Sequence, residues 1–451
     1  MAKLKTHHLG LTESEMYELC PVSTSFMTAN GYGDNVYDQF CYPIENSDVR
    51  FYALENLEAE DILNVSSRMY GLIADSLKIL FNKHESKLTK YYGSIFDKPS
   101  FKHFFEYAKW TYNNNHQALY GRFDIPYDYQ SKKITGFYEF NGNTPVMIHE
   151  SVFVQDLMAT RIEKGDYQAN LHFEYLTHFA KTISSDIGCF GVFADMAHIE
   201  DILTAEYFHF TLYNALGEDK VVLGHITDLQ YNEADRKAPF NAFGKDITHA
   251  FNLLPWEDMV EQSPEIFTRW QGWCDSIKFY EPAWRYFLSN KGIWAWVWDL
   301  CHNPEFACEV EFRKQYEDVI PFLLQTNIST EKHGMTDFCR KPLNGRLSNN
   351  IEIHKNGELA LQTEGFYFYD ETVDQKLCLS GRIQENEPMA IMGVWMAPDP
   401  SFADPLTMQA TNISFREFDD EINSIENEKY IPHVLIDNVP LGYTLIDISK
   451  K

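Results

Sequence analysis

The sequence predicts an α+β protein, and three features point that way. Residues 57–81 carry apolar side chains at helical spacing, among them Ile62, Leu63, Met69, Leu72, Ile73, Leu77 and Leu80, the stripe of a helix that buries one face. Residues 118–127 and 134–141 instead alternate polar and apolar across a polar turn at 128–133, the signature of neighbouring strands. Further along, helical and strand patterns interleave without a regular βα repeat, which favours α+β over a repeating barrel.

Taken in order, a second helix is expected over 101–113. Beyond Pro145, helices are expected at 148–160 and 167–184. A short buried strand at 190–194 leads to a helix starting near His198, and 221–229 reads as another strand. The last third mixes short strands, near Ile351, Leu359, Phe366, Ile391 and Met408, with few long helical patterns. At 451 residues the chain has room for two or three structural units around one site.

Hydrophobic residues at 44% and charged residues at 23% are ordinary for a soluble globular protein. Aromatic residues reach 15%, and those around Trp110, Trp294, Trp296 and Trp298 are expected to pack as core, with a cleft lining as the alternative. A formal charge of -28 repels nucleic acid and argues against DNA or RNA as a partner. The same field serves solubility, or draws in cations, polyamines included. The eight cysteines, Cys20, Cys41, Cys189, Cys274, Cys301, Cys308, Cys339 and Cys378, show neither paired metal-ligand spacing nor a compact disulfide framework. The start, Met1 to His8, lacks the apolar run of a signal peptide, and no later stretch could span a bilayer. A cytoplasmic protein with no membrane association is the expectation; the oligomeric state is left open.

The two strands carry the chemistry. Side chains on a strand alternate faces, so Arg122 and Asp124 share one face while Phe123 and Ile125 take the other. On the second strand Glu139 and Asn141 share a face, opposite Tyr138 and Phe140. If the strands pair, a guanidinium, two carboxylates and an amide converge on one wall. Oxygen-only donors of this kind suit a hard cation such as Mg²⁺, which keeps waters and binds substrate phosphates. The plain alternative is a strand pair with one wetted face.

Six blocks give these residues a wider setting: Tyr-Gly-Arg-Phe-Asp (120–124), Tyr-Glu-Phe-Asn-Gly-Asn-Thr-Pro (138–145), Leu-Pro-Trp-Glu (254–257), Ser-Asn-Lys-Gly-Ile (289–293), Arg-Lys-Pro-Leu-Asn-Gly-Arg (340–346) and Tyr-Ile-Pro-His-Val (430–434). In content and order the chain resembles the glutathionylspermidine synthetase family of ATP-grasp ligases, including stand-alone relatives without an amidase domain. The resemblance implies an ATP-grasp fold in three parts: a helical N-terminal region (1–115), a pre-ATP-grasp or substrate domain with the Mg-site strands (116–285), and an ATP-grasp nucleotide-binding domain (286–451). It also implies ATP-dependent joining of a peptide or amino-acid carboxylate to an amine, such as a polyamine, through an acyl phosphate.

By motif match the resemblance makes Asp124, Glu139 and Asn141 the magnesium ligands and Arg122 the residue that steadies the acyl phosphate and the later oxyanion. Lys291 and Lys341 match the two lysines that hold the nucleotide phosphates. Gly345 belongs to the loop that covers ATP, and Arg416 occupies the position of a late arginine near the γ-phosphate. Thr144 matches a small hydroxyl residue that touches the peptide substrate, and Trp256 and Glu257 support the cleft structurally. Glu200 and Asp201 sit where the family places acidic residues that receive the polyamine, since a protonated amine is costly to bury unpaired. A helix N-terminus explains the same pair, because acidic side chains favour its positive end.

The sequence departs from the family pattern in places. Ser348 stands where a second glycine is usual, which implies a looser cover over ATP. Tyr369 replaces the usual glutamine in the adenine hinge at 366–370, and the segment after Met396 lacks the expected glycines. These departures keep two alternatives open: a catalytically altered relative that binds ATP in a structural or regulatory role, and a kinase-like use of the same centre.

Overall fold

The protein is described by a computed structural model for residues 52–156, 168–235, 237–365, 371–381, 388–399, 401, 404, 406–418, 421–422 and 429–436. Its longest helix, Asn56–Lys83, opens on a capping box between Glu55 and Glu58, which satisfies first-turn N–H groups that no helical carbonyl can reach. Its buried stripe includes every apolar residue the sequence singled out in that stretch. The second expected helix runs Pro99–Asn113, with proline in the first turn where its missing N–H costs nothing.

The stripe of the long helix packs on an antiparallel sheet. That sheet runs Lys429–Ile431, Met408–Phe418, Met389–Pro398, Gly121–Asp128 and Lys133–Ile134, with Glu139–Asn141 also pairing to Gly121–Asp128. Both of its faces are covered, so its central strands read as nearly continuous apolar runs rather than clean alternations. Met392, Val394 and Met396 join the core under the long helix, and Trp395, on the other face, joins a second core with Leu176 and Phe179 of helix His172–Thr182.

That second core leads to a parallel sheet, in the order Lys278–Tyr280, His249–Asn252, Phe190–Ala194 and Val221–His225. Helices His172–Thr182 and Ile199–Leu216 pack together beside it. A third, antiparallel sheet orders Thr326–Ile328, Thr372–Lys376, Phe338–Pro342, Glu352–Lys355 and Glu358–Gln362, and helix Gly292–His302 packs against its first strand. Strands and helices are thus largely segregated, as α+β requires, with the parallel sheet as an inset. Tyr52–Leu54 pairs in parallel with His433–Leu435.

Several boundaries differ from the sequence expectation for physical reasons. The first site strand starts at Gly121 rather than 118, because the Leu119 and Tyr120 N–H groups donate to the Glu281 carboxylate at 2.8 and 3.1 Å instead of to a neighbouring strand. The second is split into Lys133–Ile134 and Glu139–Asn141. Between them the chain passes Pro126, which has no N–H to give the ladder; Thr135 donates to its carbonyl at 3.2 Å. The helix expected from 148 contains a π-helical stretch, Glu150–Val154, and the next begins at His172. The strand expected over 221–229 ends at His225, where a 3₁₀ turn at Ile226–Asp228 takes over. Trp294 and Trp296 are buried in the core, Trp110 and Trp298 are packed against it, and none of the four lines the cavity described below. The described cysteines, Cys189, Cys274, Cys301, Cys308, Cys339 and Cys378, are free thiols. Among the described residues, no helix is long and apolar enough to cross a membrane.

Candidate active site

In the antiparallel register Arg122 lies opposite Asn141, and Asp124 lies opposite Glu139. The period-two pleat therefore puts all four side chains on one wall. Phe123 and Phe140, paired between them, turn the other way and pack with ring centroids 4.6 Å apart in the core. Tyr138, expected on that apolar side, lines the cavity instead, because the break at 135–138 interrupts the alternation; its hydroxyl donates to the Cys378 carbonyl at 2.6 Å.

The wall borders a cavity of about 640 Å³, a size that suits a small-molecule site. Lys291, Lys341, Arg416, Thr144, Gly345, Glu200 and Asp201 all line it as well. In a chain of net charge -28 the lining is charge-balanced, with basic and acidic side chains in equal number. Tyr369 lies outside the described residues.

The opposite charges on the wall itself are paired. Arg122 contacts both Asp124 oxygens, at 2.6 and 3.1 Å, and donates to the Val146 carbonyl at 2.9 Å. Arg416 reaches the same carboxylate at 2.7 Å. Its strand neighbours Met389–Pro398, which in turn neighbours Gly121–Asp128. Across from Asp124 in that register stands Gly393, where a Cβ would press to 3.2 Å from Arg122 Cδ and 2.6 Å from Ser414 Oγ. A side chain there would clash with Ser414 first and press more lightly on Arg122.

Lys291 sits at the N-cap of helix Gly292–His302 and holds Glu139 at 3.1 Å and the Gly345 carbonyl at 2.7 Å. The glycine after it is required, since a Cβ on Gly292 would fall 1.8 Å from the Tyr91 carbonyl oxygen. Lys341, on Phe338–Pro342, donates to Gln375 Oε1 at 3.0 Å and lies 5.3 Å from the centroid of the Tyr138 ring. Burial raises the Asp124 carboxyl, but the charges of Arg122 and Arg416 and their hydrogen bonds outweigh it and hold it well below the usual carboxylate range. Burial pushes Glu139 the same way, and Lys291 and then Lys341 bring it below its ordinary value, against the like charge of Asp124.

Asp124 and Glu139 offer oxygen donors, and Asn141, whose Nδ2 here donates to Asp124 Oδ2 at 3.3 Å and Glu139 Oε1 at 3.4 Å, adds its carbonyl to make an oxygen-only set once the amide turns. Among the described residues no three His, Cys, Asp or Glu side chains gather as a metal cage. A cation on this wall would therefore complete its shell from water and ligand oxygens, which is the habit of Mg²⁺ rather than of a caged transition metal. The donor set fits that ion.

The loop after Lys341 closes one side. Arg346 donates to Thr144 Oγ1 at 2.9 Å and pairs with Glu257 at 2.7 Å, so Thr144 and Glu257 are both engaged by this loop. Leu347, Ser348 and Asn350 all hold positive φ, Ser348 at 55°. The residue that stands in for the usual glycine thus adopts a backbone that glycine takes without strain.

Glu200 and Asp201 occupy the first turn of helix Ile199–Leu216, just past the carboxyl end of strand Phe190–Ala194. Burial, against the opposing charge of His198 and with the like charges of Glu200 and Asp195, pushes the Asp201 carboxyl up to about 7. It has no hydrogen-bond or ion-pair partner among the described residues, and Arg346 is a further opposing charge acting on it. Sequence reasoning did not single out Arg346, Gln375 or Gly393. Arg346 closes the 340–346 block and was within reach; Gln375 and Gly393 carry no local signal.

The model of a family described as glutathionylspermidine synthase preATP-grasp matches residues 46–436. A Haemophilus influenzae protein provisionally named an acid–amine ligase is 29% identical over 263 residues, which are 56% of this chain and 60% of that protein. Among solved structures, a glutathione synthetase-like effector from Globodera pallida is 10% identical with a TM-score of 0.49, covering 96% of this chain and 100% of that one. A provisionally named γ-glutamylcysteine synthetase from Methylobacillus flagellatus is 10% identical with a TM-score of 0.41, over 74% of this chain and 84% of that one. Both structural likenesses are too distant to bear on fold or chemistry. With the family match spanning most of its length, the chain belongs to the glutathionylspermidine synthase preATP-grasp family.

Proposed function

We propose that the protein is an ATP-dependent ligase that joins a small-molecule carboxylate, of a peptide or amino acid, to an amine. The observation that carries this is the single cavity in which an oxygen-donor wall of Asp124, Glu139 and Asn141 meets the cations Arg122, Lys291, Lys341 and Arg416. Such a set suits a site where phosphoryl charge is held and moved. The name of the Haemophilus influenzae relative supports the same class.

In this scheme a carboxylate oxygen of the substrate attacks the γ-phosphorus of ATP, the bond to the ADP oxygen breaks, and an acyl phosphate forms. The neutral amine then attacks the acyl carbon, the bond to phosphate breaks, and the amine nitrogen releases its proton. Lys291 and Lys341 hold nucleotide phosphates, with Gly345 lending the backbone of the covering loop. Arg416 faces the transferred phosphoryl group, and Arg122 steadies the acyl phosphate and the oxyanion. Asp124, Glu139 and Asn141 would hold Mg²⁺, which when bound neutralises phosphate charge. Thr144 touches the acid substrate, and Glu200 and Asp201 receive the amine, a polyamine being the form that uses both. Tyr369 is assigned to the adenine hinge.

Residues 286–451 make up the nucleotide-binding half, which is supported by the positions of Lys291 and Lys341. Residues 116–285 make up the substrate half with the metal wall, its strand Gly121–Asp128 sharing a sheet with Met389–Pro398, and the described part of 1–115 contributes the helices Asn56–Lys83 and Pro99–Asn113. The test is ADP release over a matrix of carboxylates and amines, with hydroxylamine as a trap and mass analysis of adducts. ADP formation that needs a carboxylate, and a hydroxamate when hydroxylamine replaces the amine, are expected. Nucleotide binding with no carboxylate–amine pair stimulating ADP release would overturn the proposal.

A further inference from the structure

The two strands of the wall share a ladder of only three residue pairs, Arg122 with Asn141, Phe123 with Phe140 and Asp124 with Glu139. So short a ladder, broken at 135–138, does not by itself fix side chains to the fraction of an ångström that a metal site needs. Just beyond its open end lies a charge pair whose two side chains are both fully buried, Arg285 and Glu281, 3.1 Å apart.

Arg285 donates through Nε to the Gly142 carbonyl at 2.9 Å, through Nη2 to the Tyr120 carbonyl, and through Nη1 to the Tyr70 hydroxyl at 2.9 Å. Glu281 Oε1 accepts from the Leu119 and Tyr120 N–H groups at 2.8 and 3.1 Å. Ser289, on the helix Arg285–Ser289, accepts from the Gly142 N–H at 2.9 Å. The chain is therefore gripped just before Arg122 and just after Asn141, by one planar cation and its partner.

Glycine clears the space on both strands. A Cβ on Gly121 would come within 2.4 Å of Arg285 Nη2 and 2.5 Å of Phe140, and one on Gly142 within 2.6 Å of Phe140 and 3.3 Å of Arg285 Nε. The guanidinium carbon lies 4.8 Å from the centroid of the Phe140 ring, the residue between the two wall donors Glu139 and Asn141. Stability is a poor reason to keep such a pair, because well-packed apolar residues usually serve a core as well or better. A guanidinium offers something apolar packing does not, namely donors in fixed directions to acceptors on separate segments.

We propose that the Glu281–Arg285 pair is a positioning device that sets the spacing of the Arg122–Asp124 and Glu139–Asn141 strands and so the shape of the cation site. This rests on the ligase proposal for what the wall binds. Lysine at 285 keeps the charge but lacks the fork, so one of the two carbonyls loses its donor. Glu281→Gln keeps the shape and an oxygen for the two N–H groups, and removes the carboxylate that lies 3.1 Å from Arg285 Nε. Burial pushes that carboxyl up to about 7 against the opposing charge of Arg285.

The experiment is Mn²⁺ binding, read by electron paramagnetic resonance on the full chain with a non-hydrolysable ATP analogue, for the wild type, Arg285→Lys and Glu281→Gln. Folded fraction comes from circular dichroism, and analogue affinity without metal is measured alongside. In the folded variants Mn²⁺ affinity should fall about 10- to 100-fold, as when the support of a metal ligand is lost, while metal-free analogue affinity holds within about threefold. A merely structural role would lower the melting temperature and leave the Mn²⁺ affinity of the folded fraction unchanged. Wild-type-like Mn²⁺ affinity in either folded variant overturns the positioning role alone. A wild type that binds the analogue without retaining Mn²⁺ overturns the wall assignment, and the positioning role with it.

Discussion

Replacing Asp124 with asparagine isolates the charge at the centre of the wall, since the isostere keeps shape and loses only the carboxylate. Arg122 and Arg416 approach that carboxylate at 2.6 and 2.7 Å, with all three side chains largely buried. At an effective dielectric of about 20, each contact carries roughly 6 kcal/mol of gross Coulomb attraction. Most of that repays desolvation, and removing one member of such a buried cluster leaves a net cost of about 3–5 kcal/mol. The variant should therefore melt at lower temperature and still fold in the cold. Asp124 would act on the transferring phosphoryl group only through the Mg²⁺ it helps to hold, so weaker retention of that ion adds a separate loss in kcat, out of the several kcal/mol that a bound cation supplies. The assay is ADP formation at a temperature where both proteins are folded, with Mg²⁺ varied. A folded Asp124→Asn protein that forms ADP at near wild-type rate, with unchanged Mg²⁺ dependence, would refute the role given to this residue.

Asp201, with its carboxyl pushed up to about 7 by burial, gains charge as pH rises through neutrality, so kcat/KM for the amine should climb between pH 6 and 8 in the wild type, with a flatter rise in Asp201→Asn; identical profiles would remove it from the amine site. Lys291→Met takes away a charge-assisted contact of about 1.5–3 kcal/mol, so ATP affinity measured by calorimetry without metal should drop about 10- to 150-fold, and an unchanged affinity would show that Lys291 serves only Glu139. Ser348→Gly relieves a left-handed backbone at φ 55° that costs an ordinary residue about 1–2 kcal/mol, offset by the greater freedom of glycine when unfolded, for a net gain of about 0.5 kcal/mol. The urea midpoint should rise slightly, and a fall would mean that the serine side chain earns its place.

The wall was legible because its geometry is local. Period two along two short segments is enough to put Arg122, Asp124, Glu139 and Asn141 on one face, but not to pair them: the turn register of Tyr127 with Ile134, continued, would set Asp124 opposite Phe137, and the break at 135–138 moves it to Glu139. The long helix was legible for the same reason, its stripe repeating over many turns. Strands His249–Asn252 and Lys278–Tyr280 were not, being three or four residues long and, apart from the exposed Lys278, buried without alternation. Tyr138 was placed on the wrong face because the effect of Pro126 on the neighbouring strand depends on pairing, which sequence spacing does not report. Lys341 and Arg416 entered only through the family resemblance, since their approach to the wall depends on sheets assembled from distant segments. The grip of Arg285 had no local signal at all: its acceptors are two backbone carbonyls and a tyrosine hydroxyl far back in the chain.

The antiparallel sheet also sets a timetable for synthesis. Strand Gly121–Asp128 leaves the ribosome early, but its partner Met389–Pro398 and the Arg416 that closes on Asp124 are made much later. At about 5–20 residues per second that interval is roughly 15–60 s. Throughout it the nascent chain holds an apolar strand with an unpaired edge and a carboxylate without its second cation, the condition in which chaperones engage growing chains. Tyr52–Leu54 waits longer still, for His433–Leu435. A message cut short before codon 389 would thus yield a product that cannot hide its own sheet edge, and quality control, rather than residual catalysis, would decide its fate.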